Sequence, residues 1–263
     1  MAFDRLPAAL IIQHLRGSFR QNAFREHRRA CCEIVNSGAF ANKACQEAAR
    51  YGKVNIVASS KDRTFSYIPK LDKSQFTPDA DYFYICMNNT IYGTVYHELP
   101  DTGSVPLVAD VSSCILYRTV LRMDCVVEHG GGDLLRIANQ VLPDDHDGQA
   151  RRPHIFLCAR KEQAELRNVD RLGEDAGRDV CNQRHTRSKL FKGTVVPEDR
   201  SLMNAPFVTG DAELDKKFIA EADAAGFVSL KGHRSVGGMR ASIYNAMPLE
   251  GVEKLVALMQ KFF

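Results

Sequence analysis

The stretch Val105-Pro106-Leu107-Val108-Ala109-Asp110-Val111-Ser112-Ser113 decides the fold. Val105 to Ala109 is apolar without alternation, which is the pattern of a strand buried on both faces. Such strands belong to parallel sheets covered by helices. Upstream, Tyr82 to Met87 is rich in aromatic and apolar residues and reads as another strand. Val54 to Ala58 reads as a third, and Ile34 to Ser37 as a short one leading into a helix from Ala39 to Tyr51. Ser37 offers that helix a cap and Gly52 a stop. Strands alternating with a helix and with crossover-length connections imply an α/β sheet.

The last 76 residues, 188–263, repeat the logic on a smaller scale. Leu202 to Val208 is expected to be a strand. Asp211 caps a helix running to Ala225, with Leu214, Phe218 and Ala222 on one face and Gly226 as the stop. Phe227 to Leu230 and Met239 to Tyr244 read as further strands. Pro248 opens a final helix carrying Leu249, Val252, Val256, Met259 and Phe263 at helical spacing.

The chain has 263 residues, is 44% hydrophobic and carries a formal net charge of +3, which argues against a nucleic-acid footprint. No apolar run approaches the roughly 18 residues that span a bilayer. Leu6 to Leu15 is partly apolar but follows Asp4 and Arg5 without a clear cleavage site. The eight cysteines lack C-x-x-C spacing, so a reduced, cytoplasmic protein is expected.

Composition is not uniform. Residues 1–33 and 117–187 hold seventeen Arg and one Lys, Lys161, whereas the rest of the chain holds five Arg and twelve Lys. Both side chains serve a solvated surface, so a folded protein does not ordinarily exchange one for the other by segment. Inserted anion-binding modules would explain this, as would a slipped reading frame. The second is favoured: the codons of Asp145 to Ala150, read one base later, can spell the apolar Ile-Thr-Met-Val-Arg-Gln.

Asp110, at the end of a buried strand, sits where ligands of open α/β sheets bind, although a carboxylate there can also simply close the turn. Asn88-Asn89-Thr90-Ile91-Tyr92-Gly93 follows another apolar strand as a turn signal. Lys231-Gly232-His233-Arg234-Ser235-Val236-Gly237-Gly238-Met239-Arg240 places two guanidinium forks and an imidazole around glycines, suited to carboxylate or phosphate. Cys31-Cys32 with His27 lacks zinc-ligand spacing, so no metal site is expected. Gly130-Gly131-Gly132 fits no nucleotide-binding pattern, and Lys161 lies in the charged run Ala159-Arg160-Lys161-Glu162 that reads as a solvated face.

Val35 to Ala41, Asn88 to Gly93, Val108 to Ser113 and Lys231 to Gly251 together resemble the ordered motifs of phosphoserine aminotransferases over 34–116 and 188–263. That resemblance implies a fold type I pyridoxal-phosphate transaminase: a large, mostly parallel-sheet domain, of which 34–116 is a fragment, and a small C-terminal α/β domain over 188–263. It implies a cytoplasmic homodimer of serine biosynthesis that moves an amino group from glutamate to 3-phosphohydroxypyruvate, with no membrane or nucleic-acid partner. By the same resemblance Asp110 pairs with the pyridine nitrogen of pyridoxal phosphate, Phe40 stacks on its ring and Thr90 donates a hydroxyl hydrogen bond. Arg240 takes the substrate α-carboxylate, and His233 and Arg234 the distal phosphate or carboxylate.

The unmatched segments, 1–33 and 117–187, are where the resemblance places the remaining machinery. The family's Gly-Gly phosphate loop and Asn-Thr-Pro motif have no counterpart here. Its Ala-Gly-Ala-Gln-Lys-Asn motif, which bears the Schiff-base lysine, falls opposite Glu128 to Asn139, a stretch without lysine, so the catalytic lysine is unassigned. A frame-disrupted inactive relative and a non-catalytic anion-binding module are the alternatives to a working transaminase.

Overall fold

The computed structural model describes residues 30–50, 52–105, 107–114, 156–158, 188–244 and 247–262, which form two compact units. Among the described residues, the first unit takes 30–62, 69–87, 98–114 and 156–158, and the second takes 63–68, 88–97 and 188–262.

The first unit is an α/β sheet, as the apolar runs require. Its strands are β1 (Ala30–Asn36), β2 (Gly52–Ser59), β3 (Tyr82–Cys86), β4 (Leu107–Asp110) and β5 (Phe156–Cys158), in the order β2-β1-β3-β4-β5. Every pairing is parallel, so all five C-terminal ends share one edge. The chain leaves β1 outward to β2 and returns past it to β3. That reversal is the switch point at which open α/β sheets bind ligands. Helix α1 (Ala39–Ala48) follows β1 and buries Ala41, Ala44, Cys45 and Ala48 against Cys32, Ile34, Tyr82 and Tyr84. All five residues of β3 are buried.

Two expectations are corrected here. The α1 N-cap is Gly38, with no side-chain cap bond, rather than Ser37; the helix ends at Ala48 because Gly52 already belongs to β2. Strand β1 begins at Ala30 rather than Ile34 and so crosses the compositional boundary at 33/34. Its register against β2 shifts between Ile34 and Val35, within one residue of that boundary. Glu33, the last residue of the Arg-rich segment, is 0% exposed. Its Oε1 accepts from Asn55 Nδ2 and Thr77 N, while Oε2 is buried without a partner. A carboxylate oxygen in that state is unfavourable.

The second unit is built on an antiparallel sheet, β6 (Lys192–Gly193), β7 (Asn204–Val208) and β8 (Met239–Ser242), with helices α2 (Ala212–Ala224) and α3 (Leu249–Lys261). Strand alternation sends Ala205, Phe207, Met239 and Ala241 into one apolar core. Phe191, Phe207, Phe218 and Phe262 meet there, with Phe191 and Phe218 centroids 4.8 Å apart at 62° and Phe218 and Phe262 5.0 Å apart at 82°. Such edge-on pairs add about 0.5–1.5 kcal/mol each beyond area burial.

Helix α2 buries Phe218 and Ala222 as its spacing requires, with Leu214 at the margin; α3 buries Val252, Leu255 and Met259, a stripe rotated from the expected one that leaves Val256 half-buried. Phe227 to Leu230 is no strand. Val228 is 87% exposed, and the segment makes only the isolated bridge Lys231–Met239 at its end. Asp211 accepts from the Glu213 and Leu214 amides at 2.8 and 3.3 Å. Replacing it with Ala costs about 1 kcal/mol, read as a fall in Tm of about 2–4 °C.

Candidate functional site

The parallel register of the first unit places Asp110 at the ligand edge of β4, level with Cys86 of β3 and Cys158 of β5. Asp110 Oδ1 accepts the Ser112 amide at 3.0 Å, so the carboxylate closes the turn after β4. It is also 5% exposed. Burial pushes its carboxyl above the ordinary range, against the pull of bonds from Ser112 and Tyr84. Burial, and then the Asp110 charge, push the neighbouring Cys114 thiol up too, which removes it as a nucleophile.

The ends of β1 and β2 add polar atoms along the same edge. Asn36 donates to Asn42 at 3.4 Å, but its Oδ1 is buried without a partner, as is the Ser60 hydroxyl. Phe40 lies in the first turn of α1, packed against the core, with Lys43 Nζ 5.4 Å from its ring centroid.

The other expected residues gather in the second unit. Asn89 to Thr94 is a closed turn: the Asn89 amide donates to Thr94 O at 2.8 Å, the Gly93 amide to Asn89 O at 2.7 Å, and Asn89 Nδ2 to Thr94 Oγ1 at 2.8 Å. The turn lies on the face of β7 and β8 opposite the aromatic core. Arg240 Nη1 donates to the Thr90 carbonyl at 3.1 Å, while Arg240 Nε is buried without a partner. An unpaired buried donor costs about 1–3 kcal/mol. A carboxylate drawn side-on to the guanidinium would recover that, leaving Nη1 on Thr90.

Residues 231–239 loop back on themselves, with the Gly232 amide on Gly238 O at 2.8 Å and the Gly237 amide on His233 O at 2.8 Å. His233 Nδ1 accepts the Ser235 amide at 3.2 Å and faces the Ser235 hydroxyl at 2.7 Å. The proton of a neutral ring is thereby assigned to Nε2, the outward donor. Arg234 is exposed at the tip of this turn.

Phe40 and Asp110 therefore belong to one unit, and Thr90, His233, Arg234 and Arg240 to the other. Sequence reasoning missed Ser201 and Asn204, which are 1% and 0% exposed and bond to Asn88. The signal available was a lone asparagine in the otherwise apolar β7. Lys161, His27 and Gly130 to Gly132 lie outside the described residues. Among the described residues no group of His, Cys, Asp and Glu could hold a metal ion, and no helix is long and apolar enough to cross a membrane.

The buried Asp110 carboxylate at the ligand edge of β4 suits a protonated ring nitrogen. No protein-family model matches the chain. It is 40% identical over 268 residues to the phosphoserine aminotransferase of Janthinobacterium sp. (strain Marseille), an alignment covering 89% of this chain and 73% of the relative. Among solved structures it is similar to a phosphoserine aminotransferase described for radiation damage of its Schiff base, at 26% identity and a TM-score of 0.67, covering 94% and 78% of the two chains. The fold also matches the pyridoxal-phosphate-bound phosphoserine aminotransferase of Trichomonas vaginalis, at 23% identity and a TM-score of 0.67, covering 94% and 80%.

Proposed function

We propose that this chain, which belongs to the phosphoserine aminotransferase family, moves the amino group of glutamate to 3-phosphohydroxypyruvate, giving phosphoserine and 2-oxoglutarate. Pyridoxal phosphate, when bound, supplies an electron sink and a carrier for the amino group. The Asp110 carboxylate holds the proton on the ring nitrogen. A buried anion there favours the protonated pyridine through its opposite charge. By the family resemblance, Phe40 would pack on the ring face and Thr90 Oγ1 would donate to the cofactor. Arg240 pairs with the substrate α-carboxylate, and His233 and Arg234 bind the distal phosphate or carboxylate. The resemblance further supports a cytoplasmic homodimer.

The observation that carries this reading is the position of β5. Cys158 is the register partner of Asp110, and Lys161 follows it by three residues. Lys161 is the only lysine in the stretch 117–187. The resemblance sets the family's Ala-Gly-Ala-Gln-Lys-Asn opposite Glu128 to Asn139, which has no lysine, whereas Leu157-Cys158-Ala159-Arg160-Lys161-Glu162 matches it at the third and fifth positions. Lys161 is the residue we assign to cofactor attachment and to proton transfer at the substrate Cα.

An inactive, sequence-disrupted relative is the competing reading. The exchange of Lys for Arg over 1–33 and 117–187 favours it, as does the orphaned Glu33 oxygen. The test is glutamate formation from phosphoserine and 2-oxoglutarate with added pyridoxal phosphate. Activity that falls about 10³-fold in Lys161→Ala, the range for loss of a proton-transfer group, supports the proposal. A folded parent chain without activity supports the competing reading.

A further inference from the structure

The expected site residues Thr90 and Arg240 hang on a buried polar network that the proposed reaction does not use directly. On the face of β7 and β8 turned away from the aromatic core, Asn204 stands opposite Ser242 and Pro206 opposite Arg240. Asn204 accepts from Asn88 Nδ2 at 3.0 Å and donates through its own Nδ2 to Ser242 Oγ and Tyr244 OH, each at 3.3 Å. The other end of the Asn88 amide accepts from the Ser201 hydroxyl. Ser201 Oγ in turn accepts the Met203 and Asn204 amides at 3.0 and 3.2 Å. One end of the Asn88 side chain is thus fixed to β7 and the other to Ser201, three residues before that strand.

Two residues beyond Asn88, the Thr90 carbonyl takes Arg240 Nη1. Two residues beyond Arg240 on β8 stands Ser242, which closes the network through Asn204. The turn is therefore tied to β8 twice, once through amide side chains and once through the guanidinium. We propose that Asn204, acting through Asn88, is a positioning residue: it sets the Thr90 carbonyl, and so the plane in which Arg240 presents its remaining N–H groups to an anion. This rests on the assignment of Arg240 to substrate carboxylate. A planar guanidinium recognises a carboxylate through two parallel bonds, so its orientation governs affinity as much as its charge does.

The full chain is titrated with glutarate, a dicarboxylate with no amino group to react, and the Arg240 Nε–H resonance is followed by NMR, identified by its loss in Arg240→Lys. Asn204→Leu is expected to weaken glutarate about tenfold, and Ser242→Ala, which removes one of the two Asn204 acceptors, about threefold. Both are expected to shift and broaden the Arg240 resonance although Arg240 itself is unchanged. A purely structural network would lower Tm and leave both readouts at their parent values in the folded variants, which would overturn the proposal. Should Asn204→Leu not fold, Ser242→Ala decides alone. If Arg240→Lys leaves glutarate affinity unchanged, the assignment of Arg240 falls, and the resonance still decides whether Asn204 positions it.

Discussion

Asp110→Asn lowers turnover about 10²–10³-fold, the scale set by removing one preorganised electrostatic group from an enzyme site. An amide at that edge carries no charge to favour a proton on the ring nitrogen, so the cofactor's service as an electron sink would be weakened. The unliganded chain responds in the opposite sense. Burial raises the Asp110 carboxyl above its ordinary value. A group whose folded value is raised contributes stability that is present at low pH and is lost as pH rises through the folded value. Above the ordinary carboxylate range the substitution therefore removes a group whose burial is unfavourable, whether it is held charged or protonated. The variant is expected to unfold at or above the parent temperature at pH 7 and to lose that advantage at pH 3–4. A marked loss of stability at pH 7 would show that Asp110 serves the turn after β4 rather than a ligand.

Gly93→Ala is expected to destabilise the second unit by about 3 kcal/mol, from left-handed backbone strain plus overpacking. Gly93 has φ of 79°. A Cβ built there would stand 2.2 Å from Pro206 Cδ and 2.9 Å from Asn204 O. The neighbours are a rigid ring and backbone, so neither yields cheaply, and the turn must lift from β7. Lifting it breaks the Ser201 amide bond to Gly93 O and draws Thr90 O away from Arg240. A calorimetric scan should show Tm lower by about 6–12 °C. Gly103→Ala is the control: φ there is 64° but a Cβ meets nothing within 4 Å. Only the backbone strain of about 1–2 kcal/mol remains.

The buried strands were legible because an unalternating apolar run such as Val105 to Ala109 has few other fates, and Asp110 was legible because it ends one. Asp211 was legible from local chemistry, since a cap needs only residues two and three positions on. The start of β1 was not, because Ala30 to Glu33 carries two cysteines and a carboxylate where aliphatics are expected. Strand β5 was missed for another reason. Three residues are too few for periodicity to register. The bond between Thr90 O and Arg240 joins residues 150 positions apart and has no local signature. Its partners read as a turn signal and as a Gly-rich basic loop suited to an anion, with nothing in either to join them.

The assignment of Lys161 bears most on whether this chain is a working transaminase. The full chain is mixed with pyridoxal phosphate and reduced with borohydride, which fixes any cofactor–lysine linkage, and the labelled peptide is sequenced. A single stoichiometric label on Lys161 is the predicted result. No label, or label scattered over surface lysines such as Lys216 and Lys217, would contradict it and leave a chain related to transaminases by descent alone.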